Sequence, residues 1–222
     1  MAMRTGLADD DGADMSAGTP SPAQVAALVF EEAAERPTGI GDESTPRVRV
    51  SAHVPDWSRE QKRLLQWSPS RSLLASIRAY QRHEASGTPW AGLMRRLCVL
   101  RHRFWSVVTA SDIPLNSRIG GGLLMIHTNG IVLHPRASIG PNCLIFQQVT
   151  IGTADGEGVP TLGAHVEVGA GARILGPVAI GDHARIGANA VVLCDVPAGA
   201  TAVGVPARIT SRSVGAVGDR VR

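Results

Sequence analysis

Aromatic residues and lysine are scarce in this chain of 222 residues. Seven of its eight aromatic residues precede position 110, and Lys62 is its single lysine. After residue 110 the only aromatic residue is Phe146. Ordinary β-sandwiches and doubly wound folds bury much of their core area in aromatic side chains. The second half must therefore build its core from Ile, Val, Leu and Ala.

Cysteines and long apolar runs are also lacking. Cys98, Cys143 and Cys194 are too few and too scattered for a disulfide framework or a zinc site. No run approaches the 18 apolar residues of a membrane-spanning helix, and acidic residues stand where a signal peptide would be apolar. We expect a cytoplasmic protein that binds neither membrane nor metal.

Charge is unevenly distributed along the chain. Residues 1–45 carry 2 basic and 9 acidic groups, whereas residues 46–110 carry 12 basic and 3 acidic groups. The basic segment is interpreted as a solvated helix face, with contact to an acidic partner or to the chain's own acidic N-terminus as the alternative. Nucleic-acid binding is not expected, because the second half lacks aromatic residues on which bases could stack.

The first half is predicted to be helical. Residues 1–22 are rich in Asp, Gly, Ala, Ser, Thr and Pro and are predicted to be a disordered tail. Residues 23–110 are predicted to form an α-helical module, with apolar residues at helical spacing and with its aromatic residues as its core. Residues 209–222 are predicted to be a C-terminal tail.

From residue 111 the apolar period changes to six. Neither a helix nor an alternating strand keeps a six-residue period over this length. A coil with three short flat faces does, if one residue in six points inward as an anchor. Residues 111–208 are therefore predicted to form a parallel β-helix of about five coils. Its anchors are Ile113, Ile119, Met125, Leu133, Ile139, Ile145, Ile151, Leu162, Val168, Ile174, Ile180, Ile186, Val192 and Ala198.

The period breaks twice. Met125 and Leu133 are eight residues apart, and the extra pair falls beside His127. Ile151 and Leu162 are eleven apart, which leaves a Gly-rich loop. Asp112 lies fifteen residues before His127, close to the length of one coil, so the two are expected on adjacent coils within contact range. A carboxylate there would fix the imidazole tautomer of a general base.

Three motifs resemble those of the serine O-acetyltransferases. Asp112-Ile113-Pro114 resembles an Asp-Ile-His motif, His127-Thr128-Asn129-Gly130-Ile131-Val132 a His-x-x-Gly-Ile-Val motif, and Gln148-Val149-Thr150-Ile151-Gly152 the Val-Thr-x-Gly end of a Gln-x-Val-Thr-x-Gly motif. The terminal Gly204-Val205-Pro206-Ala207-Arg208 is shared by many hexapeptide acyltransferases. The resemblance covers about residues 100–212.

The resemblance implies a left-handed β-helix and direct acetyl transfer from acetyl-CoA to a hydroxyl, in cysteine biosynthesis. It implies a homotrimer, which in some members pairs into a dimer of trimers. His127 would be the general base and Asp112 would orient it. Carried over by position, the residues contacting CoA are Gly152, Ala170 and Ala188 for the pantetheine arm and Arg208 for the phosphates.

Two departures from the family concern the acceptor. Ile126 stands where the family usually has Asp, and Gly158-Val159 stands where it has Arg-His. In the family those charges hold the ammonium and carboxylate of the amino acid. Serine is therefore the acceptor by resemblance, and the hydroxyl of a sugar or secondary metabolite is the alternative.

The sequence leaves two other functions open. A zinc lyase could draw on His127, His134, His165 and His183, although their spacing lacks a close histidine pair. In a non-catalytic β-helix scaffold, Asp112 would cap the first coil and His127 would be a turn residue. A CoA-binding measurement distinguishes the acetyltransferase from the non-catalytic scaffold. A metal assay distinguishes the zinc lyase from both.

Overall fold

The computed structural model describes residues 54–62, 66–154, 156 and 158–212. The predicted tail at 1–22 lies outside the described residues, as does the first part of the predicted helical module. Most of the C-terminal tail at 209–222 also lies outside them, apart from the end of the last strand.

In the described part of the chain, a short 3₁₀ helix and two α-helices precede the β-helix. A short 3₁₀ helix spans Trp57–Glu60, and it is followed by α1 (Pro69–Glu84) and α2 (Ala91–Thr109). Pro69 occupies the first turn of α1, where its missing N–H costs no hydrogen bond. In the described parts of the chain, no helix combines the length and hydropathy that a membrane span requires.

The prediction that aromatic residues form the core of this module is wrong. Trp67, Trp90 and Phe104 are 71%, 70% and 56% exposed. The buried side of α1 is instead aliphatic, with Leu73 and Ile77 both fully buried. Helical spacing alone did not reveal which side of each helix faces the rest of the protein.

The second half is the predicted left-handed parallel β-helix. It has four complete coils, each with one strand on each of three faces, and single bridges extend it at both ends. The first face contains β1 (Arg118–Ile119), β4 (Ser138–Ile139), β7 (Thr161–Leu162) and β10 (Ala179–Ile180). The second contains β2 (Leu124–Met125), β5 (Leu144–Ile145), β8 (Glu167–Val168), β11 (Arg185–Ile186), β13 (Ala200–Val203) and the antiparallel β14 (Arg208–Arg212). The third contains β3 (Val132–Leu133), β6 (Thr150–Gly152), β9 (Arg173–Leu175) and β12 (Val191–Val192).

The six-residue anchors form the core of this coil. Every predicted anchor from Ile113 to Val192 is at most 8% exposed. The exception is Ala198, which is exposed. The phase shifts before it, because Val196 bridges Ile180 and Ala202 pairs with Ile186. Val196 therefore occupies the first-face anchor position for which Ala198 was predicted, and Ala202 occupies the second-face position that follows it.

Close stacking of the coils explains several repeat glycines. A Cβ atom on Gly140 would lie 2.3 Å from the carbonyl oxygen of Gly163 in the next coil. Real Cβ atoms do not approach backbone that closely, so this position accepts only glycine.

The segment before α1 is fastened to the edge between the first and second faces, here called the first edge. Glu60 Oε1 accepts hydrogen bonds from the N–H of Gly122 at 2.8 Å and from Arg78 Nη2 at 2.9 Å. Arg78 also donates to the carbonyl oxygens of Ile119 and Gly120, at 2.6 and 2.7 Å. This basic residue is therefore part of the folded framework and not of a solvated helix face.

Candidate active site

The first break in the repeat is a bulge that carries His127. It lies in the first complete coil at the second edge, defined here as the edge between the second and third faces. His127 is exposed and has φ +51°, a left-handed conformation uncommon outside glycine. The Thr128 hydroxyl closes the bulge by donating to the Met125 carbonyl at 3.3 Å.

Asp112 lies in the partial coil immediately before that of His127. It forms a parallel bridge with Val132, its N–H donates to the Ile131 carbonyl at 2.8 Å, and its carbonyl accepts from Leu133 N–H at 2.9 Å. The carboxylate is exposed near the second edge. Within the described residues, no hydrogen bond or ion pair joins it to the His127 imidazole. The fold therefore places the pair on adjacent coils without direct contact.

The end of α2 supports the far side of the bulge. Gly130 N–H points at the carbonyl oxygens of Thr109 and Ala110, at 3.3 and 3.1 Å. Ile131 N–H donates to the buried Ser111 hydroxyl at 3.2 Å. Ala110 ends the helix in a left-handed conformation, with φ +46°. Helix and bulge are thus held in one arrangement.

Above the bulge, one position of the second edge repeats in the next three coils. Gln147, Ala170 and Ala188 occupy it, and we call them the second-edge column. Gly171 N–H donates to the Gln147 carbonyl at 2.9 Å, and Asn189 N–H to the Ala170 carbonyl at 2.8 Å. The N–H groups of the three column residues donate no hydrogen bond to any described residue. They remain available to a ligand.

Arg208 opens β14 and pairs with Val203 at the last strand of the second face. Its side chain is exposed, and it lies at the opposite end of the β-helix from His127. Of the residues predicted to contact CoA, Ala170 and Ala188 therefore follow one line above His127, and Arg208 lies beyond that line.

Gly152, Gly158 and Val159 are on a different edge. They flank the long loop between β6 and β7, at the third edge, between the third and first faces. A Cβ on Gly158 would lie 2.4 Å from the Pro177 ring, and Val159 packs against the core. A single chain does not bring these residues together with His127 or with the partly buried Ile126.

Gly152 differs from the tightly stacked repeat glycines. A Cβ atom at this position would meet nothing within 4 Å, and its φ lies outside the left-handed range. Neither coil stacking nor backbone conformation on its own chain explains why this residue is glycine.

Cys143 and the remaining histidines lie outside this arrangement. Cys143 is fully buried, and burial raises the pKa of its thiol to about 11, which disfavours a nucleophilic thiolate. His165 and His183 stack on the first edge with ring centroids 5.0 Å apart, whereas His134 is on the third face. The described residues contain no group of three His, Cys, Asp or Glu side chains that could hold a metal ion.

Sequence reasoning did not single out Gln147, the first residue of the second-edge column. Oε1 of its side chain is buried and has no hydrogen-bond partner within the described chain. The available signal was its repeat position, because it aligns with the two alanines predicted to contact the pantetheine arm.

Comparison with known proteins agrees with the fold. Residues 160–194 match the family model of the bacterial transferase hexapeptide (six repeats). A serine acetyltransferase from Synechococcus elongatus is 44% identical over 110 residues, which is 48% of this chain and 45% of that protein. One from Helicobacter pylori strain J99 is 44% identical over 108 residues, 47% of this chain and 63% of that protein.

A solved serine acetyltransferase in complex with CoA has a TM-score of 0.55 and 36% identity, covering 66% of this chain and 59% of that one. The chain is a hexapeptide-repeat β-helix protein similar to the serine acetyltransferases. It spans about half to three fifths of the length of these relatives. The resemblance expected from the three motifs is confirmed.

Proposed function

We propose that this protein is an acetyl-CoA-dependent O-acetyltransferase of the serine acetyltransferase type. The observation that carries the proposal is the His127 bulge, which projects an exposed imidazole at the foot of the second-edge column. What sets His127 apart is its exposure at a break in an otherwise regular repeat, since its left-handed backbone is shared with His165, His183 and other turn residues of the coil.

In the proposed reaction, His127 removes the proton of the acceptor hydroxyl while that oxygen attacks the thioester carbonyl. The new ester bond forms, the carbon–sulfur bond breaks, and His127 returns the proton to the departing thiolate. Asp112 orients His127 from the adjacent coil and stabilises its charged form. The buried Cys143 has no part in the reaction, so no acyl-enzyme forms.

The second-edge column and Gly152 support a binding path for CoA. The unpaired N–H groups of the column repeat at the coil spacing of roughly 4.8 Å and can donate to the carbonyls of the pantetheine arm. The open space at Gly152 leaves room for the arm to approach the backbone. Arg208 is the candidate partner of the CoA phosphates, since arginine binds phosphate through two N–H groups.

The relatives named above act on serine, which makes serine the first candidate acceptor. A second candidate is an uncharged hydroxyl, on a sugar or a secondary metabolite. Two observations favour it. Ile126 offers no charge beside His127, and Val159 is turned against the core where a charged family residue would grip the amino acid.

The positions of the candidate residues support a homotrimer. The loop at the third edge lies one face away from His127, so both can line one site only if they come from different copies. Val132 on the third face is 42% exposed, and Leu193 beside that face is 53% exposed. Both offer apolar surface for contact between copies. Pairing of trimers through the helices is a further possibility for assembly.

The three free cysteines are consistent with a cytoplasmic setting.

The experiment is a CoA-release assay with acetyl-CoA against serine, homoserine and a panel of sugars, with CoA binding measured in parallel by calorimetry. Turnover with any hydroxyl supports the transferase, and the preferred acceptor decides between the two candidates. A protein that does not bind CoA would be the scaffold instead. Loss of activity on chelation, together with stoichiometric zinc, would favour the lyase.

A further inference from the structure

We infer that His134 of one copy binds the acceptor beside His127 of the neighbouring copy, with Nε2–H of His134 donating a hydrogen bond to a second oxygen of the acceptor. That oxygen is the carboxylate of serine or a hydroxyl next to the reacting one on a sugar. The inference rests on the proposed function, including its homotrimer. It names a polar group for the acceptor, which the apolar Ile126 and Val159 do not supply.

The hydrogen bonding of the His134 ring fixes its tautomer. Nδ1 accepts a hydrogen bond from the backbone N–H of Arg136 at 3.2 Å, so this nitrogen carries no proton. In the neutral ring the proton is therefore on Nε2. Nε2 makes no hydrogen bond to any described residue, and His134 is half-buried. The ring thus presents one N–H donor, at a defined nitrogen, to a ligand at this corner.

The surroundings of His134 leave space for such a ligand. His134 directly follows β3, where the third face turns into the third edge. Its backbone N–H donates to the Ile151 carbonyl at 2.8 Å, which places it below Gly152 of the next coil. A Cβ atom on Gly152 would meet nothing within 4 Å. The corner above His134 is therefore open at Gly152.

His134 also lies at the same height along the β-helix as His127. The two residues belong to the same coil, seven positions apart, on opposite sides of the third face. One copy alone therefore keeps them on different edges. A closed ring of three copies brings the third edge of one copy to the second edge of the next. Rotation about an axis parallel to the β-helix keeps every residue at its height, so His134 then faces the neighbour's His127.

A neutral donor suits this acceptor site. Ile126 beside His127 carries no hydrogen-bonding side chain, and Val159 of the third-edge loop packs against the core. An imidazole N–H binds a hydroxyl or a carboxylate oxygen without requiring a permanent positive charge. Two contacts on one small molecule, at the reacting hydroxyl and at the second oxygen, fix its orientation toward His127.

Two substitutions separate the roles of the two ring nitrogens. In His134→Asn, the side-chain oxygen can still accept from the Arg136 N–H, but the side chain is too short to replace Nε2. In His134→Gln, the longer amide brings an N–H near the position of Nε2 and gives up the turn. We expect His134→Asn to raise the KM for the acceptor about tenfold and His134→Gln to raise it less. The KM for acetyl-CoA should stay unchanged in both.

The acceptor in these assays is the one that wild type turns over fastest among serine, homoserine and the sugars. His183→Asn is the matched control, because it makes the same change at an exposed histidine of the first edge, and it should leave both KM values unchanged. An unchanged acceptor KM in His134→Asn would overturn the inference. Loss of acceptor binding in His134→Gln but not in His134→Asn would also overturn it, by showing that the ring only supports the turn.

Mixed trimers test whether the two histidines act across copies. Chains with His127→Asn and chains with His134→Asn carry different affinity tags, are produced together, and are purified as trimers that contain both. In either composition, such a trimer has one interface at which an intact His127 meets an intact His134. At an acceptor concentration below KM, we expect turnover well above the mean of the two parent variants. Turnover equal to that mean, or an active wild type that is monomeric, would overturn the inference.

Failure of the proposed function gives a different pattern. If wild type neither binds CoA nor acetylates any acceptor, both the transferase and the His134 contact are wrong. If wild type is active and His134→Asn behaves like His183→Asn, only the contact is wrong.

Discussion

Asp112 is hydrogen-bonded through its backbone N–H to the Ile131 carbonyl at 2.8 Å, four residues beyond His127. This bond fixes the backbone of Asp112 to the coil beside the bulge, although no hydrogen bond or ion pair joins its carboxylate to the imidazole. We expect Asp112 to have a positioning role that depends on its charge and on its place near the second edge.

Asp112→Asn is therefore expected to lower kcat by about tenfold or more and to leave the KM for acetyl-CoA unchanged, because orientation of the base is lost and ligand contacts are not. Steady-state kinetics at several acetyl-CoA concentrations measures kcat and KM separately. Asp112→Glu should recover part of the loss. Equal changes in kcat and KM, with a lower melting temperature, would instead indicate that Asp112 only caps the first coil.

Gly152→Ala is expected to leave the free energy of unfolding within about 0.5 kcal/mol of wild type, because the added methyl group meets nothing within 4 Å. The KM for acetyl-CoA should rise about fivefold, roughly 1 kcal/mol, if the arm passes this backbone. Gly140→Ala is the matched control. Its methyl group would meet the Gly163 carbonyl, and it should cost about 1–3 kcal/mol of stability. An unchanged KM in Gly152→Ala would remove this residue from the binding path.

Arg78→Ala is expected to lower the free energy of unfolding by about 3 kcal/mol, because Glu60, with a side chain only 10% exposed, would lose its cation. Chemical denaturation measures the change. Arg185→Ala, which breaks the exposed pair with Glu167, should cost less than about 1 kcal/mol. Similar costs for the two variants would show that the first-edge network contributes no more than a surface ion pair.

His165 makes the stability of the fold depend on pH. Burial, and then the neighbouring His183, lowers the pKa of its imidazole below the usual value of 6.5, despite an opposing effect of Glu167. Between the folded and unfolded pKa values the unfolded chain binds more protons, so stability should fall as the pH drops below about 6.5 and level off below the folded pKa. Melting temperatures of wild type and His165→Asn from pH 8 to 5 test this. Asparagine is used because it tolerates the left-handed backbone at this position. The melting temperature of the variant should depend less on pH than that of wild type. The same dependence of melting temperature on pH in both proteins would show that His165 is not its source.

The repeat could be predicted from the sequence because each anchor depends only on its own position in a regular period. The prediction failed at Ala198, because the inward-facing Val192 and Val196 are four positions apart instead of six and the phase shifts there. The exposed Trp67 and Trp90 were misplaced because helical spacing does not say which side meets the β-helix. The network of Glu60, Arg78 and Gly122 joins residues up to 62 positions apart, a pairing that no local pattern reveals.

The candidate site was predictable to a similar extent. The broken period located His127, and the length of one coil located Asp112 on the adjacent coil. The spacing could not show that their side chains remain apart, nor that Val159 turns into the core. Gln147 was not singled out, although its repeat position, two residues after Ile145, aligns it with Ala170 and Ala188.

The most direct test of the central claim is the rate of CoA release by His127→Asn with the preferred acceptor. Asparagine accepts the left-handed conformation of the bulge but cannot serve as the base. We expect a loss of at least about a hundredfold in turnover, with CoA affinity and melting temperature unchanged. Turnover equal to that of wild type in this variant would contradict the proposed mechanism.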